Sequence, residues 1–236
     1  MKMFAKIRFY YGASIITLIS GAIMVPFMYI FRKHTNKILH KYNALIIKLM
    51  GAKIETEGNR DNSVDMFVMN HQGVMDIVAM EASELSDIRW IAKRQLFEVP
   101  WFGNLLKLPN MVSVDRENKA GLIKLIRDAK ETKESNRHRI LAIFPEGTRS
   151  KGQKLRDFKS GAKILAEKLE LKIQPVIITN SKKLLNQHDF TGEATTLYIK
   201  YLEPFQADKS DKDWYKKLQI RMQQEIDKQE KKGILR

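Results

Sequence analysis

The chain has 236 residues, a formal net charge of +15 and no cysteine. This length supports one substantial core with a smaller appendage, and the lack of cysteine excludes disulfides, thiolate metal sites and a cysteine nucleophile. The basic excess indicates an anionic partner, which could be membrane lipid, nucleic acid or an acidic protein.

The first 50 residues contain eight Lys or Arg and no Asp or Glu, so they hold over half of the net excess. Residues 9–31 carry no charge, and 23 residues are enough to span a hydrocarbon core. A signal peptide fits less well, because the apolar run is long and no small-residue cleavage pattern follows it. Pro26 is expected to kink such a helix.

Basic residues flank the apolar run on both sides, whereas the positive-inside rule favours an excess on one side of a span. Beyond the run, apolar residues recur at helical spacing, which predicts a basic amphipathic helix suited to an anionic lipid surface. These residues are Ile38, Tyr42, Leu45, Ile46 and Leu49. We therefore favour an N-terminal two-helix membrane anchor in residues 1–52, embedded in the cytosolic leaflet, over a single span.

Residues 53–236 are predicted to form an α/β domain with a mixed, largely parallel central sheet flanked by helices, because strand and helix patterns alternate. Candidate strands lie near residues 64–70, 88–93, 110–115, 139–144, 172–179 and 195–202. Candidate helices lie near residues 74–85, 118–134, 160–170 and 211–231.

The stretch from Asn70 to Asp76 lies between an apolar strand pattern and the start of a helix. His71 at this turn and Asp76 in the first helical turn can meet, so that the carboxylate fixes the imidazole tautomer and leaves the other nitrogen as a base. The alternative is a structural histidine, with an Asp favoured by the helix dipole alone.

A second stretch, Phe144-Pro-Glu-Gly-Thr-Arg-Ser150, follows another apolar strand pattern. Gly147 permits a sharp turn and a close approach to a ligand, and Arg149 offers a planar fork of donors suited to phosphate. Thr148 can add a neutral donor. The alternative for this string alone is an ordinary turn with a solvated arginine.

Together the two stretches resemble the glycerolipid acyltransferase family, most closely the members that act on 1-acyl-sn-glycerol-3-phosphate. Three further blocks, at residues 91–97, 114–116 and 173–177, are similar to this family in order and spacing. The resemblance spans residues 66–181. It implies a central sheet with the His-Asp site at its edge.

The resemblance implies transfer of a fatty acyl group to the free hydroxyl of lysophosphatidic acid, giving phosphatidic acid in phospholipid synthesis. The donor would be acyl-CoA or acyl-carrier protein, with no cofactor and no metal, and the domain would lie on the cytosolic side of a membrane. His71 and Asp76 would be catalytic, with direct attack by the acceptor hydroxyl. Substrate-binding residues would be Lys93, Arg116, Glu146, Gly147, Thr148 and Arg149.

Backbone N–H groups near Gly73 and Val74, at the helix start, are candidates for oxyanion stabilisation. One alternative is a related acyltransferase that uses glycerol-3-phosphate or a lyso-aminolipid as acceptor. A membrane-tethered basic protein that binds nucleic acid or lipid is the alternative from another class. It leaves both motifs unexplained, and the basic residues lack the interleaved aromatics of a stacking platform, so no nucleic-acid partner is expected.

Overall fold

The computed structural model describes residues 2–115, 119–135 and 138–234. The chain opens with a helical run made of α1 (Lys2–Leu18), a π-helical turn (Ile19–Met24) and α2 (Val25–Ile30). Pro26 has no N–H to donate, and the π turn ends two residues before it, so the regular hydrogen-bond ladder changes where the sequence predicts a kink. A 3₁₀ turn (Arg32–His34) leads into α3 (Thr35–Leu49).

One helix in the described ranges, Lys2–Ile30, is long and apolar enough to cross a membrane, and 28% of its most apolar window is buried. The second predicted anchor helix behaves differently, because α3 packs on α4 (Val74–Ser83). Ile38 and Ile46 of the predicted lipid-facing stripe are buried in the core, whereas Leu45 and Leu49 stay exposed. Part of the predicted apolar stripe therefore faces the protein core rather than a lipid surface.

Eight strands form one sheet in the part of the chain that the structure describes: β1 (Lys53–Glu57), β2 (Met66–Met69), β3 (Asp87–Lys93), β4 (Val112–Val114), β5 (Arg139–Ile143), β6 (Lys172–Thr179), β7 (Thr196–Tyr201) and β8 (Phe205–Gln206). Their order along the sheet is β1-β7-β6-β2-β5-β3-β4, with β8 paired to β6. The pairings of β7 and β8 with β6 are antiparallel and the others are parallel, which confirms the predicted mixed, largely parallel α/β sheet.

The remaining helices include the predicted long ones and three short ones that the sequence analysis did not foresee. They are α5 (Arg94–Glu98), α6 (Asn104–Lys107), α7 (Lys119–Glu134), α8 (Ser160–Leu169), α9 (Ser181–Leu184) and α10 (Trp214–Lys231). Strands β1 and β8 were also missed. β1 reads Lys-Ile-Glu-Thr-Glu, a charged pattern that suits its place at the sheet edge.

The sheet has a hydrophobic core on each face, because successive side chains of a strand point to opposite sides. Phe67 and Met69 of β2 join one core with the N-terminal helices and α4, whereas Met66 and Val68 join the other with α7, α8 and α10. The N-terminal helices therefore share buried apolar contacts with the sheet. The division of the chain into an anchor of residues 1–52 and a domain of residues 53–236 stays a prediction.

Strands β2, β5 and β3 lie side by side and parallel, so their carboxyl ends meet at one edge of the sheet. The predicted motifs follow these ends: His71 comes after β2, Glu146 after β5, and Lys93 ends β3. Ligands of open parallel sheets bind at this kind of edge. The topology thus brings together residues that are up to 75 positions apart in the sequence.

Candidate active site

The site centres on the predicted pair of His71 and Asp76. His71 Nδ1 lies 2.8 Å from Asp76 Oδ2, and the carboxylate is fully buried while 13% of the His71 side chain is exposed. The carboxylate accepts from Nδ1, so that nitrogen carries the ring hydrogen and Nε2 keeps its lone pair. His71 also lines a cavity, where its ring can meet a substrate hydroxyl.

The start of α4 explains why the carboxylate is held so firmly. Asp76 Oδ2 also accepts the backbone N–H groups of Gln72 (2.6 Å) and Gly73 (2.9 Å), which would otherwise lack partners at the helix start. One oxygen therefore has three donors and a fixed position. Because its N–H is directed at Asp76, Gly73 does not supply the oxyanion donor that the sequence predicted, and that prediction is wrong. Val74 as such a donor stays a prediction.

Glu146 lies in the loop after β5 and links this loop to the turn that carries His71. Its Oε1 accepts the N–H of His71 and its Oε2 accepts the N–H of Arg156, both at 2.8 Å. Ser150 completes the link, since its N–H donates to the His71 carbonyl at 2.8 Å. Burial raises the pKa of the Glu146 carboxyl, against the opposing effect of the two N–H donors. The buried side chain ties the two motifs together through their backbones.

Two further residues of the site were not singled out from the sequence. Asn70 extends β2 by exchanging two side-chain hydrogen bonds of 2.7 Å with the backbone of Ile178, which fixes the turn that carries His71. The Phe144 ring stacks on the His71 imidazole at 4.0 Å between centroids. Asn70 and Phe144 are the first residues of the two motifs, and this position was the sequence feature that could have identified them.

The predicted phosphate-binding residues lie around the same cavity, which His71, Lys93, Thr148 and Arg149 all line. Gly147 has φ +70°, a backbone conformation that disfavours residues with a Cβ. Lys93 and Arg149 are exposed, and Arg149 Nη1 donates to Gln187 Oε1 at 2.5 Å. Arg116 lies outside the described residues, so its predicted contact stays a prediction.

The cavity has a volume of about 390 Å³ and runs from this cationic mouth into an apolar interior. Its walls come from the N-terminal helix, α3, α4, β3 and the segment after β3, with Met24, Leu39, Val78 and Leu106 among the apolar lining. A cavity of this size with an apolar lining can take an aliphatic chain.

One carboxyl group lines this apolar cavity. Glu81 Oε1 accepts the indole N–H of Trp90 at 2.6 Å, and both residues are among the lining. Burial raises the pKa of Glu81 to about 7. Near pH 7 the group is therefore poised between a neutral and an ionised form.

The residues present combine a carboxylate-oriented imidazole, cations at the mouth and an apolar chamber. Such a site can deprotonate a hydroxyl, hold an anionic group beside it and bury a hydrocarbon chain. In the described ranges, an α/β fold with such a site meets the chemical needs of an enzyme that transfers an acyl group to a hydroxyl. The model of the family described as Acyltransferase matches residues 53–179, and the chain belongs to this family.

Two relatives and one solved structure match most of the chain. The chain is 39% identical over 221 residues to a 1-acyl-sn-glycerol-3-phosphate acyltransferase of Helicobacter pylori, covering 93% of this chain and 92% of that protein. It is 28% identical over 211 residues to the protein of that name from Salmonella typhimurium, covering 87% and 83%. The crystal structure of the 1-acyl-sn-glycerophosphate (LPA) acyltransferase PlsC from Thermotoga maritima has the same fold, with a TM-score of 0.76, 21% identity and 98% of both chains covered.

Proposed function

We propose that this protein transfers a fatty acyl group from a thioester donor to the free hydroxyl of 1-acyl-sn-glycerol-3-phosphate, producing phosphatidic acid for phospholipid synthesis. The observation that carries the proposal is the 2.8 Å contact between His71 Nδ1 and Asp76 Oδ2 at the mouth of an apolar cavity with cations beside it. The names of the relatives agree with the activity.

The chemistry follows from the free nitrogen of His71. Nε2 removes the proton of the acceptor hydroxyl as its oxygen attacks the thioester carbonyl. The resulting imidazolium is stabilised by Asp76, and the tetrahedral intermediate collapses by breaking the carbon–sulfur bond. His71 then gives its proton to the leaving sulfur. No acyl-enzyme forms, because the acceptor itself is the nucleophile.

The acceptor phosphate is held by the cations at the mouth. Arg149 can grip two phosphate oxygens with its guanidinium, whereas Lys93 acts as a point charge from the end of β3. Thr148 and the left-handed backbone at Gly147 let the loop after β5 approach the phosphate closely. Glu146 acts as a positioning residue, since it holds the backbones of His71 and Arg156.

A membrane location fits both substrate and fold. The helical run Lys2–Ile30 leaves Phe4, Ile7, Leu18 and Ile30 exposed, and basic residues flank its apolar core. The run also attaches to the domain, because Arg8 Nη2 donates to the Met50 carbonyl at 2.9 Å. The protein is monotopic in this proposal, with its catalytic domain on the cytosolic face of the bilayer.

The decisive experiment is to incubate the full chain with lysophosphatidic acid and either acyl-CoA or acyl-carrier protein, and to look for phosphatidic acid. Glycerol-3-phosphate and a lyso-aminolipid serve as competing acceptors, and His71→Ala is the inactive control. Turnover of lysophosphatidic acid that His71→Ala abolishes supports the proposal. Turnover confined to another acceptor, or equal turnover by His71→Ala, contradicts it.

A further inference from the structure

The segment after β3 has an exposed apolar surface beside the cavity, with Leu96 at the boundary of the two. Leu96, Val99 and Trp101 are 40%, 42% and 45% exposed, although Phe97 between them is buried. We call these three exposed side chains the loop patch. An exposed cluster that includes a tryptophan is unusual on a soluble surface and typically marks an interaction site.

The backbone at the patch is strained in a way that presents Trp101 outwards. Trp101 has φ +50°, which is a genuine outlier for a bulky residue. The turn is fixed on both sides: Gly103 N–H donates to the Val99 carbonyl at 2.9 Å, and a Cβ on Gly103 would lie 2.1 Å from the Phe97 oxygen. The fold therefore maintains a conformation that holds an indole at the surface.

The loop patch adjoins the N-terminal helix. A Cβ built on Gly21 would lie 3.5 Å from Trp101 Cε3, so the indole rests against the helix beside the exposed Leu18. Tyr29 adds a second link, since its hydroxyl donates to Asn104 Oδ1 at 3.3 Å. The apolar surface of the helix and the loop patch thus form one continuous surface.

The charge of the segment around the loop patch indicates which kind of partner this surface binds. Residues 93–107 contain Lys93, Arg94 and Lys107 against the carboxylate of Glu98, and all four are exposed. Arg94 pairs with Glu98 and with Asp115 after β4, so Lys93 and Lys107 supply the basic excess of this surface. Apolar and aromatic side chains with basic neighbours match the interface of an anionic bilayer, where tryptophan is favoured.

The same segment walls the cavity. Lys93, Leu96 and Phe102 line it on one side, and Ile16 and Ser20 of the N-terminal helix line it on another. The two walls meet near the point where the Trp101 indole lies beside Gly21.

We propose that the loop patch is a second membrane contact, by which the catalytic domain itself dips into an anionic lipid interface beside its N-terminal helix. A lipid acceptor then passes from the bilayer to His71 between the helix and the loop. This inference rests on the proposed membrane location and acceptor.

Tryptophan fluorescence tests the contact without any assay of activity. The chain has three tryptophans, and Trp90 and Trp214 are 4% and 5% exposed, so the difference in emission between the native chain and Trp101→Phe reports on Trp101. The full chain is bound to phosphatidylglycerol vesicles whose acyl chains are brominated near the carboxyl end. We expect the bromolipid to quench the Trp101 emission and vesicles to shield it from acrylamide. Trp101 emission that stays open to acrylamide and unquenched in vesicle-bound protein overturns the proposal, as does failure to bind vesicles.

Kinetics test the consequence. Val99→Ser/Trp101→Ser should act about tenfold more slowly on lysophosphatidic acid embedded in vesicles, because the apolar contact is lost. Its rate on a short-chain acceptor dissolved as monomers should change less than twofold. Ile123→Ser, at a 68% exposed position of α7, is the matched control and should keep both rates.

Equal loss on both acceptors by the double variant would contradict the second contact. If the native chain forms no phosphatidic acid at all, the proposed function fails, while the quenching result still decides whether the loop patch meets lipid.

Discussion

Replacing Asp76 with asparagine tests the pair on which the proposed chemistry depends. The change keeps the size of the side chain and an oxygen that can accept from Gln72 and Gly73, but it removes the negative charge beside His71. The fold should therefore survive, while the imidazolium formed during proton transfer loses its counter-charge.

The expected loss of kcat in Asp76→Asn follows from the geometry of the pair. The side chains of His71 and Asp76 are 13% and 0% exposed, so solvent screens their interaction weakly. For charge centres about 4 Å apart at an effective dielectric constant of about 20, Coulomb's law gives about 4 kcal/mol. Since about 1.4 kcal/mol is a factor of ten in rate, kcat should fall about 10³-fold.

The assay measures phosphatidic acid formation under saturating substrates, with thermal unfolding recorded for each variant. Asp213→Asn, an exposed carboxylate just before α10, is the control and should behave as the native chain does. His71→Ala/Asp76→Asn should be no slower than His71→Ala alone, because Asp76 acts through His71. If folded Asp76→Asn keeps kcat within tenfold of the native value, the orienting role is wrong.

Three other changes address the remaining parts of the site. Arg149→Ala should raise KM for the phosphorylated acceptor by about 10–100-fold, the scale of a lost charge-assisted hydrogen bond. Arg127→Ala, at an exposed position, is the control. Unchanged KM and kcat in Arg149→Ala would show that Arg149 does not bind the phosphate. Glu146→Ala leaves the His71 and Arg156 N–H groups without their acceptor and should lower the free energy of unfolding by about 2–4 kcal/mol. Glu146→Gln keeps one oxygen and should lose less stability. Equal stability of both variants in denaturant titrations would contradict the positioning role of Glu146. Glu81 has a folded pKa raised to about 7 from 4.5, so its ionisation costs stability as pH rises through that window. Glu81→Gln should match the native chain at pH 4 and become more stable by up to about 3 kcal/mol at pH 8, and a stability difference independent of pH in thermal unfolding would refute this.

The architecture of the catalytic sheet follows from short-range patterns in the sequence. Buried strands such as Met66–Met69 and Arg139–Ile143 are continuous apolar runs, and the motifs that follow them mark the carboxyl edge of a parallel sheet. For this reason the meeting of His71 with Asp76, and the position of Arg149 near them, could be predicted, whereas the choice of Lys93 came from the family resemblance alone.

Other features depend on tertiary contacts that a sequence pattern does not encode. The amphipathic stripe of α3 has the same appearance whether it faces lipid or α4, and Ile46 turned out to face protein. The N–H of Gly73 could serve an oxyanion or Asp76, and only the geometry of the turn shows that it donates to Asp76. β1 was missed because its charged residues suit a sheet edge and its partner β7 lies more than 130 residues away.

The π turn at Ile19–Met24 constrains how this chain can change in length. A π turn accommodates one extra residue, so removing one residue there would restore a regular α-helix with little net rotation, whereas removing one residue from α1 would rotate everything before it by about 100°. Arg8 and Ala5, which hydrogen-bond to Met50 and Gly192, would then point away from their partners. Insertions of about seven residues into α1, close to two full turns, would restore the direction of both groups but move them about 10 Å along the helix axis, so length changes in α1 should break this attachment and be tolerated best at the π turn.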